Sequence, residues 1–248
     1  NHMRIVFLAE RKLYTGVRFQ KNLKQGRCPV ARGFMVRLRG PMALFTRPEF
    51  KVERYSYDVP TPSALAGALS SIYLHPGIEW RVDRYWGLNK IRRKSVSVNE
   101  VTSKASSTKV LQAARGKGSM PRVRAAEPRQ IKCTSRLVNV DYVVQCHFQI
   151  ADDVHTPEKA AKVASIVERR LRRGQCYQQP YLGVREHPCF FSLWDKGVPE
   201  GYYASTGPVA LGLVFGGMDR TDPKVDRPRF FHAVMDHGCV EVAAREVI

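Results

Sequence analysis

The side chains that most often carry catalysis or bind metals are widely spaced in this 248-residue sequence. No Cys-x-x-Cys pair occurs, and no cysteine and histidine cluster has zinc-finger spacing. Three disulfides are conceivable, but free buried thiols are favoured in a chain of this size in which we find no signal peptide. We therefore expect no metal, no other cofactor and a cytoplasmic protein. The six cysteines are Cys28, Cys133, Cys146, Cys176, Cys189 and Cys239.

The motifs of several large enzyme classes are also absent. The sequence contains no P-loop, no Gly-x-Gly-x-x-Gly, no His-Glu-x-x-His and no Gly-x-Ser-x-Gly. Chemistry driven by ATP, by a dinucleotide or by the common hydrolase sites therefore loses most of its support. No run of about 18 apolar residues occurs, so we expect no membrane partner and no spanning helix.

The charge of the chain points to a binding partner. Lys and Arg number 41 and Asp and Glu number 22, which gives a formal net charge of +19. Residues 1–136 hold 28 basic and 8 acidic side chains, whereas residues 137–248 are close to neutral. A surplus confined to one half of a chain indicates a face that binds a polyanion. Nucleic acid is favoured over a membrane surface because no basic amphipathic helix stands out.

The basic side chains fall into a few clusters that could hold phosphates. Residues 102–136 combine nine basic side chains with little hydrophobic content, which predicts a long irregular loop. The alternative is a solvated excursion without a binding role, and cations at a helix end are favoured by the helix dipole in any protein. Tyr85, Trp86, Tyr177 and Tyr181 are candidates for stacking on unpaired bases. The candidate phosphate ligands are Arg92, Arg93, Lys94, Lys104, Lys109, Arg115, Lys117, Arg172 and Arg173.

The elements that must position these side chains form a recognisable order. Alternating residues predict a strand at 34–45, and Thr61 followed by Pro62 predicts the start of a helix that ends at His75. Strands at 78–91, 137–150 and 181–191 and a helix from Thr156 to Gly174 complete a strand–helix–strand–strand–helix–strand pattern. This pattern predicts an α+β fold with a ferredoxin-like domain over 35–195, of the type found in RNA-recognition domains. A small antiparallel β domain is expected over 196–248, and 1–34 is a basic extension whose first three residues resemble a tag remnant.

Several segments together resemble one known family. They are GPMALFTRPEF, YSYDVPTPSALAGALSSIYLHPGIEW, DYVVQCHFQI and RRLRRGQCYQQPYLGVRE. They are similar to the CRISPR-associated Cas5d family of subtype I-C systems, and the resemblance extends from about Met35 to Ile248. It implies a ferredoxin-like domain followed by a twisted antiparallel sheet. It also implies that the protein binds the hairpin repeat of precursor CRISPR RNA and cuts near the base of its stem without a metal. The protein would then remain on the 5′ handle within a surveillance complex of several subunits.

The resemblance also implies which residues would cut RNA. Tyr73 matches the family tyrosine at the end of the first helix, and Lys162 matches the family lysine on the second helix. The family has a histidine directly after this lysine, but this chain has Val163, which cannot transfer a proton. His75 is the best substitute because it stands two residues from Tyr73. A mid-strand histidine such as His147 is more often a satisfied structural residue.

Three functions therefore stay open at the level of sequence. The first is a repeat-specific endoribonuclease that uses the 2′-hydroxyl of its RNA as nucleophile. The second is a subunit that holds the guide handle without cutting it, which the replacement at Val163 favours. The third is a general basic protein that also binds duplex DNA.

Overall fold

The computed structural model describes residues 33–50, 52–101, 104–122, 129–150, 157–219 and 227–242. Most of the predicted N-terminal extension, Cys28 and the predicted cap Thr156 lie outside these residues. The described part of the chain forms nine strands and three helices. In chain order they are β1 (Phe34–Ala43), β2 (Arg54–Tyr55), α1 (Pro62–Ile72), β3 (Ile78–Gly87), β4 (Arg93–Val101), α2 (Ser107–Ala114), β5 (Arg129–Ile150), α3 (Pro157–Arg173), β6 (Phe190–Leu193), β7 (Val209–Asp219), β8 (Arg227–Asp236) and β9 (Cys239–Glu241).

All nine strands belong to one sheet. Neighbouring strands follow the order β6-β1-β5-β3-β9-β8-β7, and both β2 and β4 pair with the first part of β5. The pairs along this path are antiparallel. The fold is therefore α+β and dominated by an antiparallel sheet, which confirms the predicted class.

Alternation in β1 sorts its side chains onto the two faces of the sheet. Val36 and Leu38 are fully buried, whereas Arg37 and Arg39 lie on the opposite face. Helices α1 and α3 pack on the Val36 side and share one hydrophobic core with it. We call the side that carries Arg37 and Arg39 the open face.

Helix α1 begins where the sequence predicts. The Thr61 hydroxyl accepts a hydrogen bond from the Ala64 amide at 3.2 Å, and Pro62 occupies the first helical position. Leu65, Leu69 and other apolar side chains bury one face of the helix against β3 and β7. The helix ends at Ile72, slightly before the predicted stop at His75-Pro76-Gly77.

Helix α3 also follows its predicted pattern. Val163, Val167 and Leu171 recur every four residues and are buried in the core. The helix ends at Arg173, and Gly174 follows with φ of 65°, a left-handed conformation that glycine adopts at low cost. The sequence therefore predicts both the buried face and the end of this helix.

The basic segment after β3 differs from its prediction. Residues 93–101 pair with residues 129–137 in an antiparallel ladder, and 107–114 form α2. The irregular loop predicted over 102–136 is therefore wrong for 107–114 and 129–136. The ladder carries Val96 and Val98 among polar residues, and α2 buries none of its side chains. A ladder that buries few apolar side chains shows only a weak hydrophobic pattern in its sequence. The strands of this ladder were therefore not predicted. We call residues 93–137 the arm.

The C-terminal strands extend the first sheet and do not form a second one. Strand β9 pairs with β3, and β8 and β7 follow in antiparallel order. The predicted turn at His237-Gly238 is present, and both residues have positive φ. The expectation of a separate sheet packed behind the first is therefore wrong. No helix in the described residues is long and apolar enough to cross a membrane.

The predicted strand at 181–191 is mostly a tight loop. Only Phe190 and Phe191 of that range belong to β6, which continues to Leu193. Before it, the Leu182 amide donates to the His187 carbonyl at 2.8 Å, which closes a turn. Gly183 within this turn has φ of 85°, which lies outside the range of regular strand conformation.

Candidate functional site

The C-terminal end of α1 is held by a segment that lies far away in the sequence. The amide of Tyr177 donates to the Ile72 carbonyl at 3.2 Å, and the amide of Gln178 donates to the Ser71 carbonyl at 2.9 Å. The last carbonyls of a helix have no partner within it. The turn after α3 supplies these partners, so the GQCYQQP block fixes the two helix ends against each other.

Tyr73 lies at this junction as the residue that caps α1. It is only 7% exposed, and its ring stacks with that of His75 at 6.3 Å and 13° between planes. The guanidinium carbon of Arg170 lies 5.1 Å from the centre of the Tyr73 ring. Arg170 Nη1 also donates to the Ile72 carbonyl at 2.8 Å. A phenol, an imidazole and a cation therefore meet at the end of one helix.

The structure brings Tyr73 and His75 together but leaves Lys162 apart. Lys162 is exposed on α3, two turns before Arg170. Eight residues of helix correspond to about 12 Å along its axis. Lys162 therefore lies on the same helix as Arg170, about two turns before the junction.

Val163 lies on the buried face of α3. It is 4% exposed and belongs to the hydrophobic core. The position at which the resemblance implies a histidine is therefore occupied by a buried apolar side chain. No proton transfer is available from it.

An exposed basic stripe runs along the outside of α3. Lys162, Arg169 and Arg173 are exposed and are spaced by seven and four residues, which places them on one side of the helix. Arg172 is different because it pairs with Glu168 at 3.1 Å. The stripe could follow a phosphate backbone towards the Tyr73 junction.

The remaining predicted phosphate ligands lie on or next to the arm. Arg93 is engaged within the protein: it pairs with Asp58 at 2.6 Å and lies over the Tyr55 ring at 4.4 Å. The others are exposed and carry no ion pair to a described residue. They are Arg92, Lys94, Lys104, Lys109, Arg115 and Lys117.

The arm and the Tyr73 junction lie at different ends of β5. Arg93 pairs with Leu137, whereas Ile78, close to the junction, pairs with Ile150. Thirteen residues of strand correspond to about 43 Å of contour length. A ligand that contacts both the arm cations and Tyr73 must therefore be long.

The other histidines have structural surroundings. His147 Nδ1 lies 2.9 Å from an Asp83 oxygen, as expected for a satisfied sheet residue. His187 is buried, and burial together with the charge of Arg136 lowers its pKa. His232 is exposed on β8, and His237 forms a turn.

Of the four predicted stacking aromatics, three keep some exposed surface and one does not. Tyr177 is 67% exposed and lies beside the junction, and Tyr181 is partly exposed. Tyr85 is buried, which raises the pKa of its phenol well above the usual value. Tyr85 is therefore a core residue, and Trp86 is half-buried.

Arg170 is the residue of the junction that sequence reasoning missed. Its signal was present, because it directly precedes the buried Leu171 within the run RRLRR. An arginine at the border of an apolar helix face tends to reach a neighbouring element. Its target, the Ile72 carbonyl, lies 98 residues earlier in the chain and could not be read from the pattern.

The donor groups of the described residues do not form a metal centre. No group of three or more His, Cys, Asp or Glu side chains in the described ranges is placed to hold an ion. The five described cysteines are free thiols, of which Cys146 and Cys189 are buried. Burial raises the pKa of the Cys189 thiol to about 12.

Comparison with known proteins shows which family this chain resembles. Residues 33–243 match the family model described as "CRISPR-associated protein (Cas_Cas5)", of the Cas5d type. The chain is 37% identical over 207 residues to a protein of Mannheimia succiniciproducens named "CRISPR pre-crRNA endoribonuclease Cas5d", covering 82% of this chain and 91% of that one. It is 34% identical over 224 residues to a protein of the same name from Thermus thermophilus, with 85% and 91% covered.

A solved structure shares the fold. The "Crystal Structure of CRISPR-associated Protein" superposes with a TM-score of 0.64 at 25% identity, and the match covers 87% of this chain and 94% of that chain. The family match spans most of the described residues, including the Tyr73 junction and the helices α1 and α3 that form it. The chain therefore belongs to the Cas5d family of CRISPR-associated proteins.

Proposed function

We propose that this protein is an endoribonuclease that cuts the hairpin repeat of precursor CRISPR RNA and then stays on the 5′ handle of the guide. The observation that carries the proposal is the junction itself, in which Tyr73 stacks with His75 beneath Arg170. Both curated relatives are named for this activity. The exposed stripe on α3 supplies the cations that an RNA backbone needs.

The reaction needs only groups that RNA and side chains provide. The 2′-oxygen attacks the neighbouring phosphorus and loses its proton, and the 5′-oxygen leaves and gains one. The products are a 2′,3′-cyclic phosphate and a 5′-hydroxyl. Such a step requires a group that orients or accepts the first proton, a donor for the second, and a cation near the phosphorane. The mechanism we propose is therefore independent of metal.

The junction offers the groups for proton transfer, and the basic stripe of α3 offers the cation. Tyr73 orients the 2′-hydroxyl or donates to the leaving oxygen. His75 substitutes for the histidine that the family has at the position of Val163, because its ring lies against Tyr73. Lys162 lies on the basic stripe and stabilises the charge that develops on the phosphate.

A second function has one specific observation in its favour. Val163 is buried in the core, so the family histidine is missing and nothing replaces it at that point of α3. A protein with this change would hold the guide handle and cut slowly or not at all. Duplex DNA is a third possible partner, which the positive charge alone supports.

A cleavage assay separates these functions. Purified protein is incubated with the repeat RNA of its own CRISPR locus in EDTA, alongside the same RNA with a 2′-deoxy sugar at the cleavage position. We expect one cut near the base of the stem and none in the deoxy RNA. A tight complex with intact RNA would establish the binding-only function. Equal affinity for an unrelated DNA duplex would establish the general binder.

Variants then test the residue roles. Tyr73→Phe should slow cleavage by at least about 100-fold while RNA affinity changes little, since general acid–base groups contribute at least this much. Tyr177→Phe is the matched control, because it removes the same hydroxyl from the exposed neighbour. Lys162→Ala should also impair cleavage more than binding. Unchanged cleavage in His75→Ala would remove His75 from the mechanism.

We also propose an assignment of the fold and of the setting. The strand order β6-β1-β5-β3, with α1 and α3 on one side, supports a ferredoxin-like unit over about 35–195. The other subunits of a subtype I-C surveillance complex are its expected protein partners, and the cytoplasm is the expected compartment. Reconstitution with those subunits, followed by mass measurement of the complex, tests the partner assignment.

A further inference from the structure

Strand β5 changes partners at a strained residue. It pairs with β4 up to Leu137 and with β3 from Tyr142 onwards. Between these stretches, Asn139 has φ of 52°, which is uncommon for a residue other than glycine. Such outliers persist where the surroundings hold them, and they cluster at binding sites. The segment after β3 holds this one, because the Asn89 side-chain amide donates to the Asn139 carbonyl at 2.9 Å.

A cleft of about 290 Å³ opens on the sheet at this point. Its lining includes Asn89, Asn139, Arg39, Asp141 and Phe190. The strand register places the last three in one row, because Arg39 lies opposite Phe190 on one side and Asp141 on the other. Directly paired residues present their side chains on the same face. The cleft therefore belongs to the open face, away from both large helices.

The cleft combines an aromatic wall with a positive charge. Phe190 is 57% exposed, although side chains of this type are usually buried. Arg37 neutralises Asp141 with two hydrogen bonds, of 2.9 and 2.5 Å. No carboxylate of the described residues pairs with Arg39. The Arg39 guanidinium therefore gives the cleft a net positive charge.

The polar end of the cleft has hydrogen-bonding groups to spare. Asn89 uses its amide nitrogen on the Asn139 carbonyl, and this leaves its oxygen as an acceptor. The side-chain amide of Asn139 bonds to no other described residue. A flat ligand with donors and acceptors on its edge could satisfy both amides.

We propose that this cleft binds one unpaired nucleotide of the repeat RNA. The base stacks on Phe190, its edge bonds to the amides of Asn89 and Asn139, and its phosphate lies on Arg39. Aromatic stacking together with bonds to an exposed base edge is how proteins read single-stranded RNA. The volume is at the lower limit of ordinary ligand pockets, roughly 300 Å³, which suits a single base.

The cleft is separate from the Tyr73 junction. Asp141, which lines the cleft, stands nine residues along β5 from Ile150, which pairs with Ile78 near the junction. This corresponds to about 30 Å of strand. The nucleotide held here is therefore not the one that is cut, and the site gives the protein a second point of contact with RNA. The inference rests on the proposed function, since it assumes that the ligand is the repeat RNA.

Equilibrium binding to two RNAs tests the inference. The probes are the repeat hairpin with its unpaired flanks and the same stem-loop trimmed of them, both with a 2′-deoxy sugar at the cleavage position. Phe190→Ala should weaken binding of the flanked RNA about 10-fold and leave the trimmed RNA unchanged, since one stacked base contributes this much. Phe190→Tyr should restore affinity, and Asn139→Gly should weaken binding of the flanked RNA without disturbing the left-handed backbone.

Controls distinguish the ways in which this test can fail. Leu213→Ala removes an exposed apolar side chain on β7 and should leave both affinities within twofold. If Phe190→Ala binds the flanked RNA as tightly as the parent protein, and the parent protein cleaves RNA, the cleft does not bind a nucleotide. The proposed function would then still hold. Equal weakening of both RNAs would also overturn it, because the residue would then not read an unpaired base. A parent protein that neither binds nor cuts either RNA would overturn the proposed function itself.

Discussion

At the scale of single residues, the contact of Arg170 with Tyr73 is the feature that best explains how the junction is held. The guanidinium spans the Tyr73 ring and the end of α1, so one side chain fixes both the ring and the helix. A planar fork can bond to a carbonyl while it lies over an aromatic face, whereas a lysine ammonium is a single point charge. Arg170 is therefore a positioning residue for Tyr73.

Arg170→Lys should lower the cleavage rate by about 10-fold or more while RNA affinity stays within threefold. The reason is that the positive charge remains but the two simultaneous contacts do not. Single-turnover cleavage and binding measured side by side check this split, and Arg169→Lys is the control because that arginine is exposed on the same helix. A parallel loss of affinity and rate would show that Arg170 contacts the RNA directly.

Burial of His187 should make the protein less stable in mild acid. The pKa of this histidine is lowered in the folded state by burial and by Arg136. As the pH falls below about 6.5, the unfolded chain gains a proton that the folded chain does not. The free energy of unfolding therefore decreases as the pH is lowered, by at most about 1.4 kcal/mol per pH unit for one group.

Urea unfolding between pH 7.5 and 5 measures this dependence. His187→Gln, which stays neutral throughout, should reduce the slope of stability against pH. His232→Gln changes an exposed histidine and should leave the slope as it is. If the slope of His187→Gln equals that of the parent, His187 is protonated as readily in the folded state as in the unfolded one.

At the scale of elements, the sequence predicts what local rules determine and misses what distant contacts determine. The cap at Thr61, the buried stripe of α3 and its end at Gly174 all follow from neighbouring residues. The ladder of the arm does not, because most of its side chains face solvent and no apolar stripe marks its strands. The role of Arg170 depends on α1 being close to α3, which only the fold determines.

In the loop at 181–188, a single glycine determines that the segment turns tightly and does not continue as a strand. Gly183 has φ of 85°, and a Cβ at this position would overlap the carbonyl oxygen of Leu44. Gly183→Ala should therefore lower the free energy of unfolding by about 3 kcal/mol, from backbone strain and overpacking combined. Gly197→Ala has a similar φ of 81° but open space around it, so its cost should be about 1 kcal/mol. Thermal unfolding of the two variants compares them, and equal shifts would mean that backbone strain alone matters.

At the scale of the whole molecule, the net charge of +19 is divided between sites that lie far apart. The stripe on α3 leads to the Tyr73 junction, Arg39 belongs to the cleft of the open face, and the arm carries exposed cations of its own. About 43 Å of strand separates the ends of β5 that these sites occupy. A hairpin RNA with its flanks is long enough to touch all three, whereas a small ligand is not.

Removing the tip of the arm should therefore weaken RNA binding without changing where the RNA is cut. Replacing residues 104–122 by a short Gly-Ser turn deletes five exposed cations, and stability should hold because α2 buries no side chain. Each lost phosphate contact reduces the slope of log affinity against log salt concentration by about 0.7 to 0.9. Fluorescence anisotropy at several salt concentrations measures the slope, and a control that changes the five cations to Gln within an intact arm should give the same decrease. An unchanged slope would mean that these cations face solvent and do not contact the RNA. A shifted cleavage position would mean that the arm sets the register of the RNA. The deleted cations are Lys104, Lys109, Arg115, Lys117 and Arg122.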